Sequence, residues 1–432
     1  MTKPPLLPRH LLPAFALVTF LFALWGFAND ITNPMVAAFK NILLLSHFQS
    51  SLVQFAFYGG YCIMAIPAAL FIKRYNYKSG ILIGLGLYTI GCFLFIPAGN
   101  FQAFSAFLAA YFIMTCGLSF LETSANPYIL SMGDEQRATQ RLNLAQAFNP
   151  MGSLLGMFTA KIFILDQLHP ASETERTFLQ TNDPSAFQAI QAQDLDTLGT
   201  PYILLGAVVL AAFLLFLVCR LPGSGEPQGK PLDLRATLTR LRRNPRYVEG
   251  VVAQVFYVGA QIMCWTFIIQ YGVHELNLSP SQAQGYNIIA MLVFVSSRLI
   301  CTFLLKYLHP ARLLWQLALA ACLLTLGTIL IQGLPGLYCL VGISACMSLM
   351  FPTIYGIALH QLGDDAKLAS AGLILAIGGG CLMPPLQGAI MDLDLSLALS
   401  STRLSFFLPF LCFVVIAFYG LRSSPSPSEV KN

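Results

Sequence analysis

One stretch holds the residues best suited to chemistry: Gly117-Leu118-Ser119-Phe120-Leu121-Glu122-Thr123-Ser124-Ala125-Asn126-Pro127. It lies in an apolar run over about 103–132, long enough to cross a bilayer, with one acid buried inside it. A carboxylate at bilayer depth costs about 2.5–3.5 kcal/mol on insertion scales, so such acids face a bundle interior or a wet cavity. They serve there as proton relays or as polar-ligand sites. The plainer reading of Glu122 is a helix-packing acid held neutral by a hydrogen bond.

Three other apolar runs carry polar stripes. In the first, Asp30 and Asn33 are three residues apart and share one helical face, and Pro34 removes a backbone donor just after them. Asp30 is either part of the same polar site or a wet residue at the outer mouth. In the fifth, Asn143, Gln146 and Asn149 recur every three residues before Pro150. In the seventh, Gln254, Tyr257, Gln261 and Trp265 follow at spacings of three, four and four, which makes one narrow stripe. Amides donate and accept at once, which suits hydroxyl-rich ligands. An aromatic face beside them suits the C–H face of a pyranose. The alternative for each is an interhelical hydrogen bond, worth about 0.6 kcal/mol in membranes.

Arg298 sits about two turns from the cytoplasmic end of the eighth run and reads as a structural or gating residue, by snorkelling or by pairing with an acid or helix-end carbonyls. Arg137 and Asp134, with Glu135 and Arg141, read as cytoplasmic-face ion pairs that bear on gating. Pro352, Gly378-Gly379-Gly380 and Pro384-Pro385 mark breaks, close packing and bends in the tenth and eleventh runs.

The elements that must position these groups are membrane helices. The 432 residues are 56% hydrophobic and only 10% charged, against about 25% charged in a soluble chain. Spans are expected at 12–38, 48–72, 79–98, 103–132, 138–165, 200–220, 247–273, 283–307, 312–332, 335–361, 367–391 and 402–421. Lysine and arginine concentrate in alternate connections and in the segment 221–246, while Lys40, Arg176 and Arg403 stand almost alone on the other side. Both termini and that basic segment are therefore expected in the cytoplasm. The acidic connection 166–198 is expected outside, as a charged, solvated loop.

The chain divides into a six-helix half at 1–220, a linker at 221–246 and a second half at 247–432. Phe71-Ile72-Lys73-Arg74-Tyr75 matches Phe303-Leu304-Leu305-Lys306-Tyr307, and Gly133-Asp134-Glu135-Gln136-Arg137 matches Gly363-Asp364-Asp365-Ala366-Lys367. Each pair falls at the same place in its half. The expected fold is all-α and integral to the membrane, of the major facilitator type, with about twelve helices in two pseudo-symmetric halves and a ligand site near the midplane between them.

The 11 cysteines form no CxxC or Cys/His cluster, so no metal is expected. No Walker A loop, HExxH, GxSxG or haem pair appears, which argues against an ATP-driven pump, a cofactor and an enzyme. The net charge of +5 is spread over the connections, which argues against a nucleic-acid partner.

The motifs LWGFAND, FLETSANPYI, RLNLAQAFNPMGSLLG, AQVFYVGAQIMCW, SSRLICTFLLKY, FPTIYGIAL and ILAIGGGCLMPPLQG run over nearly the whole chain. Together they resemble the L-fucose–proton symporter family of the major facilitator superfamily, which includes importers of L-fucose, of glucose and galactose, and of N-acetylglucosamine. The resemblance implies proton-coupled uptake of a monosaccharide by alternating access, in a monomer of the bacterial inner membrane, with sugar, protons and lipid as its partners. It implies that Glu122 is the acid that couples substrate to proton, and that Asn149 contacts the sugar. The chain departs from the family pattern at Asn33, where the fucose transporter has an aspartate; its own acid is Asp30, one turn earlier. Either the proton-linked acid has moved along one face, or Glu122 acts alone. Two other functions fit a chain of this build: a proton-driven exporter of a small polar metabolite or drug, and a transporter-like sugar sensor without flux.

Overall fold

A computed structural model describes residues 7–133, 138–219, 221–222, 234–305, 307–359, 362, 366–393 and 399–424. Twelve helices among them are long and apolar enough to cross a membrane. They are α1 (Arg9–Leu43), α2 (His47–Ile72), α3 (Tyr77–Phe101), α4 (Phe104–Ser131), α5 (Leu144–Leu165) and α6 (Pro184–Val218), then α7 (Pro245–Leu276), α8 (Pro280–Cys301), α9 (Pro310–Leu330), α10 (Leu334–Leu359), α11 (Gly372–Met391) and α12 (Ser401–Arg422).

 Caps explain several of their starts. Asn76 accepts from the Ser79 N–H, Asn244 from the Tyr247 N–H ahead of Pro245, and Ser279 forms a capping box with Gln282 ahead of Pro280.

Two helices differ from the sequence expectation, each for a local reason. α1 runs on past Pro34: a segment Leu12–Thr32 is followed by Met35–Leu43, which ends on Leu44 in the left-handed region at φ 52°. The missing donor of Pro34 falls at the start of the second segment, where it leaves no hydrogen bond broken. α6 starts at Pro184, well ahead of 200, because Asp183 caps it and its first turns are too polar to read as a span.

The acidic connection is correspondingly less solvated than expected. A helix Glu173–Asn182 opens on a Ser172–Glu175 capping box, whose main-chain and hydroxyl bonds from Ser172 hold the Glu175 carboxyl below its usual range. Arg176 donates to Asp194 of α6 at 2.6 Å, with the two side chains 2% and 1% exposed. Asp194 also accepts the His169 N–H at 2.8 Å, and Lys40 pairs with Glu173 at 2.5 Å.

Contacts group the chain into two units, Met1–Leu44 with Gly59–Lys230 and Leu45–Tyr58 with Pro231–Asn432. The first turns of α2 thus belong with the second unit. Within the first unit α1 lies along α5, α3 along α4, and α6 beside α3. Within the second, α7 lies along α11, α9 along both α10 (Leu334–Leu359) and α12. The pairing repeats with an offset of six helices. Glycine permits the closest approaches: a Cβ on Gly152 would overlap the Ala23 main chain of α1, and one on Gly379 would overlap the Val255 main chain of α7. Of the matched repeat segments, 134–137, 306 and 363–365 lie outside the described residues.

Candidate functional site

In the first unit, α1 and α4 supply the acids and α5 the amides. Asp30 is 4% exposed, so it is buried and not wet. Asn33, one turn on, donates to its Oδ1 at 2.9 Å, as the spacing of three allows, and the Ser153 hydroxyl of α5 is a second partner. Both helix-1 polar residues are therefore tied to one another.

Glu122 is arranged differently. It is half-buried, and its Oε2 is shut off from solvent with no hydrogen-bond partner among the described residues. One turn along α4, Asn126 donates to the Glu122 main-chain carbonyl at 3.1 Å. The other side of the Asn126 amide accepts from Gln146 of α5 at 3.1 Å. Asn149 donates to the Phe22 carbonyl of α1 at 3.3 Å, which pins α5 to α1 where Gly26 meets the Asn149 main chain. Asn143 lies on the same helix, with its side chain outside the described set.

Sequence reasoning passed over three members of this region. Trp25 Nε1 and Asn29 Oδ1 are buried with no hydrogen-bond partner among the described residues, and they sit four residues apart on α1. Asn126 follows Glu122 by the same spacing. In each case the signal was a polar atom one turn from an acid or another polar group in an apolar run.

In the second unit the α7 stripe separates into two kinds of residue. The Tyr257 hydroxyl donates to the Met347 carbonyl of α10 at 3.1 Å, and Trp265 Nε1 donates to the Ser344 hydroxyl at 3.1 Å. The Trp265 ring meets Phe294 of α8 edge-on, with centroids 5.1 Å apart. Their polar ends thus hold α7 to α10. Gln254 is fully buried, and neither atom of its amide has a hydrogen-bond partner among the described residues; Gln261 is half-buried. Gln270, which the sequence reading did not single out, is buried with both amide atoms also unpartnered among the described residues. Its signal was a polar residue one turn beyond Thr266 in an apolar run, on a face of α7 other than that of the stripe.

The arginines are placed by main chain. Arg298 donates from Nε to the Ser348 carbonyl of α10 at 3.1 Å and lies 4.8 Å over the Phe294 ring. Arg141 is fully buried and donates to the Leu130 carbonyl at the end of α4 at 3.1 Å. Arg137 and Asp134 lie outside the described residues. No group of three or more His, Cys, Asp or Glu side chains is placed to hold a metal ion among the described residues.

Chemically, the first unit offers a carboxylate beside amides, with one oxygen unpartnered among the described residues, and the second offers buried amides in the same condition. The first can exchange a proton at a place where the charged form is costly. The second can satisfy neutral hydroxyls, since an unpartnered buried amide costs about 1–3 kcal/mol until something bonds to it.

Residues 17–383 match the family model described as Major Facilitator Superfamily. The chain is 49% identical over 419 residues to the L-fucose-proton symporter of Haemophilus influenzae, covering 96% of this chain and 98% of that one. It is 34% identical to the L-fucose-proton symporter of Escherichia coli, over 95% and 93% of the two chains. It is 30% identical to a glucose/galactose transporter of Brucella abortus, over 96% and 94%. Among solved structures it is similar to the crystal structure of a Major Facilitator Superfamily transporter, FucP, in the outward conformation, with a TM-score of 0.72, 33% identity and coverage of 96% and 99%. Twelve apolar helices, a six-helix pairing that repeats and likeness over almost the full length carry one conclusion: the chain belongs to the Major Facilitator Superfamily and, within it, to the family of the L-fucose–proton symporters.

Proposed function

We propose that this protein is a secondary active importer that carries a monosaccharide of the L-fucose, glucose or galactose class, together with protons, across the bacterial inner membrane by alternating access. It performs no enzymatic step and needs no cofactor. The observation that carries the reading is Glu122: a membrane-embedded carboxylate with one oxygen unpartnered, beside the Asn126–Gln146 amide chain. Its relatives in sequence bear the names of sugar–proton symporters and sugar transporters.

In this mechanism Glu122 takes a proton from the outer side and so becomes neutral. The sugar binds to the amides of α5 and α7, with Asn149, Gln146, Gln254 and Gln261 as its donors and acceptors. Sugar and then proton leave on the inner side, and the empty carrier returns. Tyr257 and Trp265 shape the α7 wall through their rings. Asn33 and Asp30 hold the α1 face, and Arg298, Arg137 and Asp134 serve the gates. Both termini and the segment 221–246 lie in the cytoplasm, in keeping with the lysine and arginine bias.

The test is uptake of labelled L-fucose, galactose, glucose and N-acetylglucosamine into proteoliposomes, with and without a proton uncoupler. The expected result is accumulation of one sugar that collapses with the uncoupler. Uptake indifferent to the uncoupler would remove proton coupling, and uptake of none of the four would remove the sugar-importer reading.

A further inference from the structure

The sugar reading leaves unused the short helix Leu234–Arg243, which precedes α7 in the second unit. It reads LRATLTRLRR, with four arginines and no acid. Thr237 and Leu241, four residues apart, are buried and form its inward face. Leu241 packs with Tyr247 of α7, with Ala358 of α10, and with Ala369 and Leu373 of the helix Ala366–Leu375 that leads into α11. The Tyr247 hydroxyl donates to the Ala369 carbonyl at 2.9 Å. One residue, Asn244, separates the short helix from α7. Its N–H donates to the Leu241 carbonyl at 3.1 Å, and its side chain caps α7 at the Tyr247 N–H. The corner is thus held on both sides.

What this corner turns outward is basic. Arg242, Arg243 and Arg246 are exposed and make no ion pair among the described residues. Arg240 differs, since it folds back to donate to the Thr237 hydroxyl at 2.9 Å. The nearest acid along the chain, Glu249, is taken by Arg422 of α12 at 3.2 Å. Leu238 lies one turn before Arg242 on the same flank of the short helix, and it is exposed. On α7, Val248 and Val252 are exposed as well. Apolar outer surface therefore begins two residues after Arg246, about 3 Å further along the helix axis. That puts the three guanidinium groups at the level where the hydrocarbon ends and the headgroups begin.

We propose that this corner is a docking surface for an anionic phospholipid, with the phosphate held by Arg242, Arg243 and Arg246 and the upper chain carbons resting on Leu238. Guanidinium matches a phosphate with paired, charge-assisted hydrogen bonds, which lysine cannot do. A soluble anion would use the arginines alone. The exposed leucine among them, and the apolar face of α7 that starts beside them, suit a ligand with acyl chains. In the proposed orientation the lipid belongs to the inner leaflet. Because Leu241 and Tyr247 join the short helix to the starts of α7 and α11, a bound headgroup braces that end of the second unit. The site is independent of the solute that the carrier moves.

The test is binding of fluorescent phosphatidylglycerol to the purified chain in detergent, with phosphatidylcholine of the same chains as the neutral reference; it needs no sugar. A basic residue at a membrane surface is worth about fivefold, so the parent is expected to prefer phosphatidylglycerol by at least about tenfold. Arg242→Gln is expected to weaken phosphatidylglycerol binding about fivefold, and the triple variant Arg242→Gln, Arg243→Gln, Arg246→Gln to remove the preference. All three side chains are exposed, so the thermal midpoint of the triple variant in phosphatidylcholine is expected to match the parent. The double variant Arg9→Gln, Arg74→Gln removes two exposed arginines of the first unit and is expected to keep the preference. Leu238→Gln is expected to weaken binding about threefold, the effect of losing apolar contact with the chains. Glycerophosphoglycerol, the same headgroup without chains, is expected not to compete at equal concentration. A preference that survives in the folded triple variant would overturn the site, and so would an equal loss in the first-unit double variant. Full competition by glycerophosphoglycerol, with Leu238→Gln unchanged, would make the corner a soluble-anion site and overturn the lipid.

Discussion

Among the described residues the buried acids lie in the first unit, whereas the second buries amides and hydroxyls with a single guanidinium, that of Arg403. Asp30 and Asp194 are 4% and 1% exposed, and Glu122 has one oxygen closed off from solvent. The amides buried in the second unit are Gln54, Gln254, Gln270, Gln284, Asn287 and Gln387, with no aspartate or glutamate among the buried described residues. The two units share a helix-pairing scheme yet differ in what that scheme shields from lipid. A carboxylate changes its charge with the proton, whereas an amide keeps its donors and acceptors at any pH. In the function proposed above, the contrast puts the proton-handling carboxylate in the first unit, and gives the second only amides, whose recognition of hydroxyls does not depend on pH.

The sharpest way to break that division is Glu122→Gln. One proton crossing 100 mV is worth about 2.3 kcal/mol, near fifty-fold accumulation. The variant keeps the size and the hydrogen-bonding capacity of the side chain and loses the titratable group. Accumulation in proteoliposomes under an imposed potential is expected to fall from about fifty-fold to none, while exchange of sugar down its gradient continues. A variant that still concentrates sugar would move proton handling elsewhere.

Gln254→Leu probes the other side. It removes an amide with two unpartnered atoms and fills its place with an apolar chain of similar bulk. The half-saturation concentration for sugar is expected to rise about tenfold, with the accumulation ratio at saturating sugar kept, since a lost hydrogen bond to a neutral ligand is worth about 0.5–1.5 kcal/mol. If accumulation collapses with affinity unchanged, the second unit takes part in coupling and the division fails.

Much of this arrangement is legible in the amino-acid sequence. Length and apolarity set the twelve spans, because a bilayer imposes one length on every helix that crosses it. Spacing was enough to place Asp30 beside Asn33, since three residues along a helix bring two side chains to one face. What the sequence hid was partnership across helices. Tyr257 and Trp265 share a stripe with Gln254, yet their polar ends meet α10 and that of Gln254 finds no hydrogen-bond partner among the described residues. Periodicity gives the face and not the neighbour. The early start of α6 was hidden for another reason: Asp183, Gln188, Gln191 and Asp194 make its first turns look like a loop to any reading of hydropathy.

Within the first unit, Asp30→Asn separates a partnered acid from an unpartnered one. The Asn33 and Ser153 side chains can both bond to an amide, so the local structure should persist. Transport rate is expected to fall only about two- to threefold, and accumulation to survive, consistent with a hydrogen-bond rearrangement of about 0.5 kcal/mol. Loss of accumulation equal to that of Glu122→Gln would make the two acids one coupled site, and the α1 acid would then have moved along its face without losing its task.

The smallest effect on transport is expected at the third acid. Asp194 is as buried as Asp30 but is matched by the full charge of Arg176, outside the spans that carry the polar stripes. Removing one partner of such a pair leaves the other charge without compensation and costs about 3–5 kcal/mol, whereas replacing both with apolar side chains is often nearly neutral. Arg176→Met is therefore expected to lower the thermal midpoint of the purified protein in detergent, with uptake per folded molecule unchanged. The double variant Arg176→Met, Asp194→Leu should recover only part of that midpoint, because it leaves the His169 N–H without the acceptor it now has at 2.8 Å. Full loss of uptake in folded Arg176→Met protein would mean that the charges of the first unit do not divide into those that move protons and those that hold a loop. The contrast with the amide-lined second unit would then be one of composition and not of task.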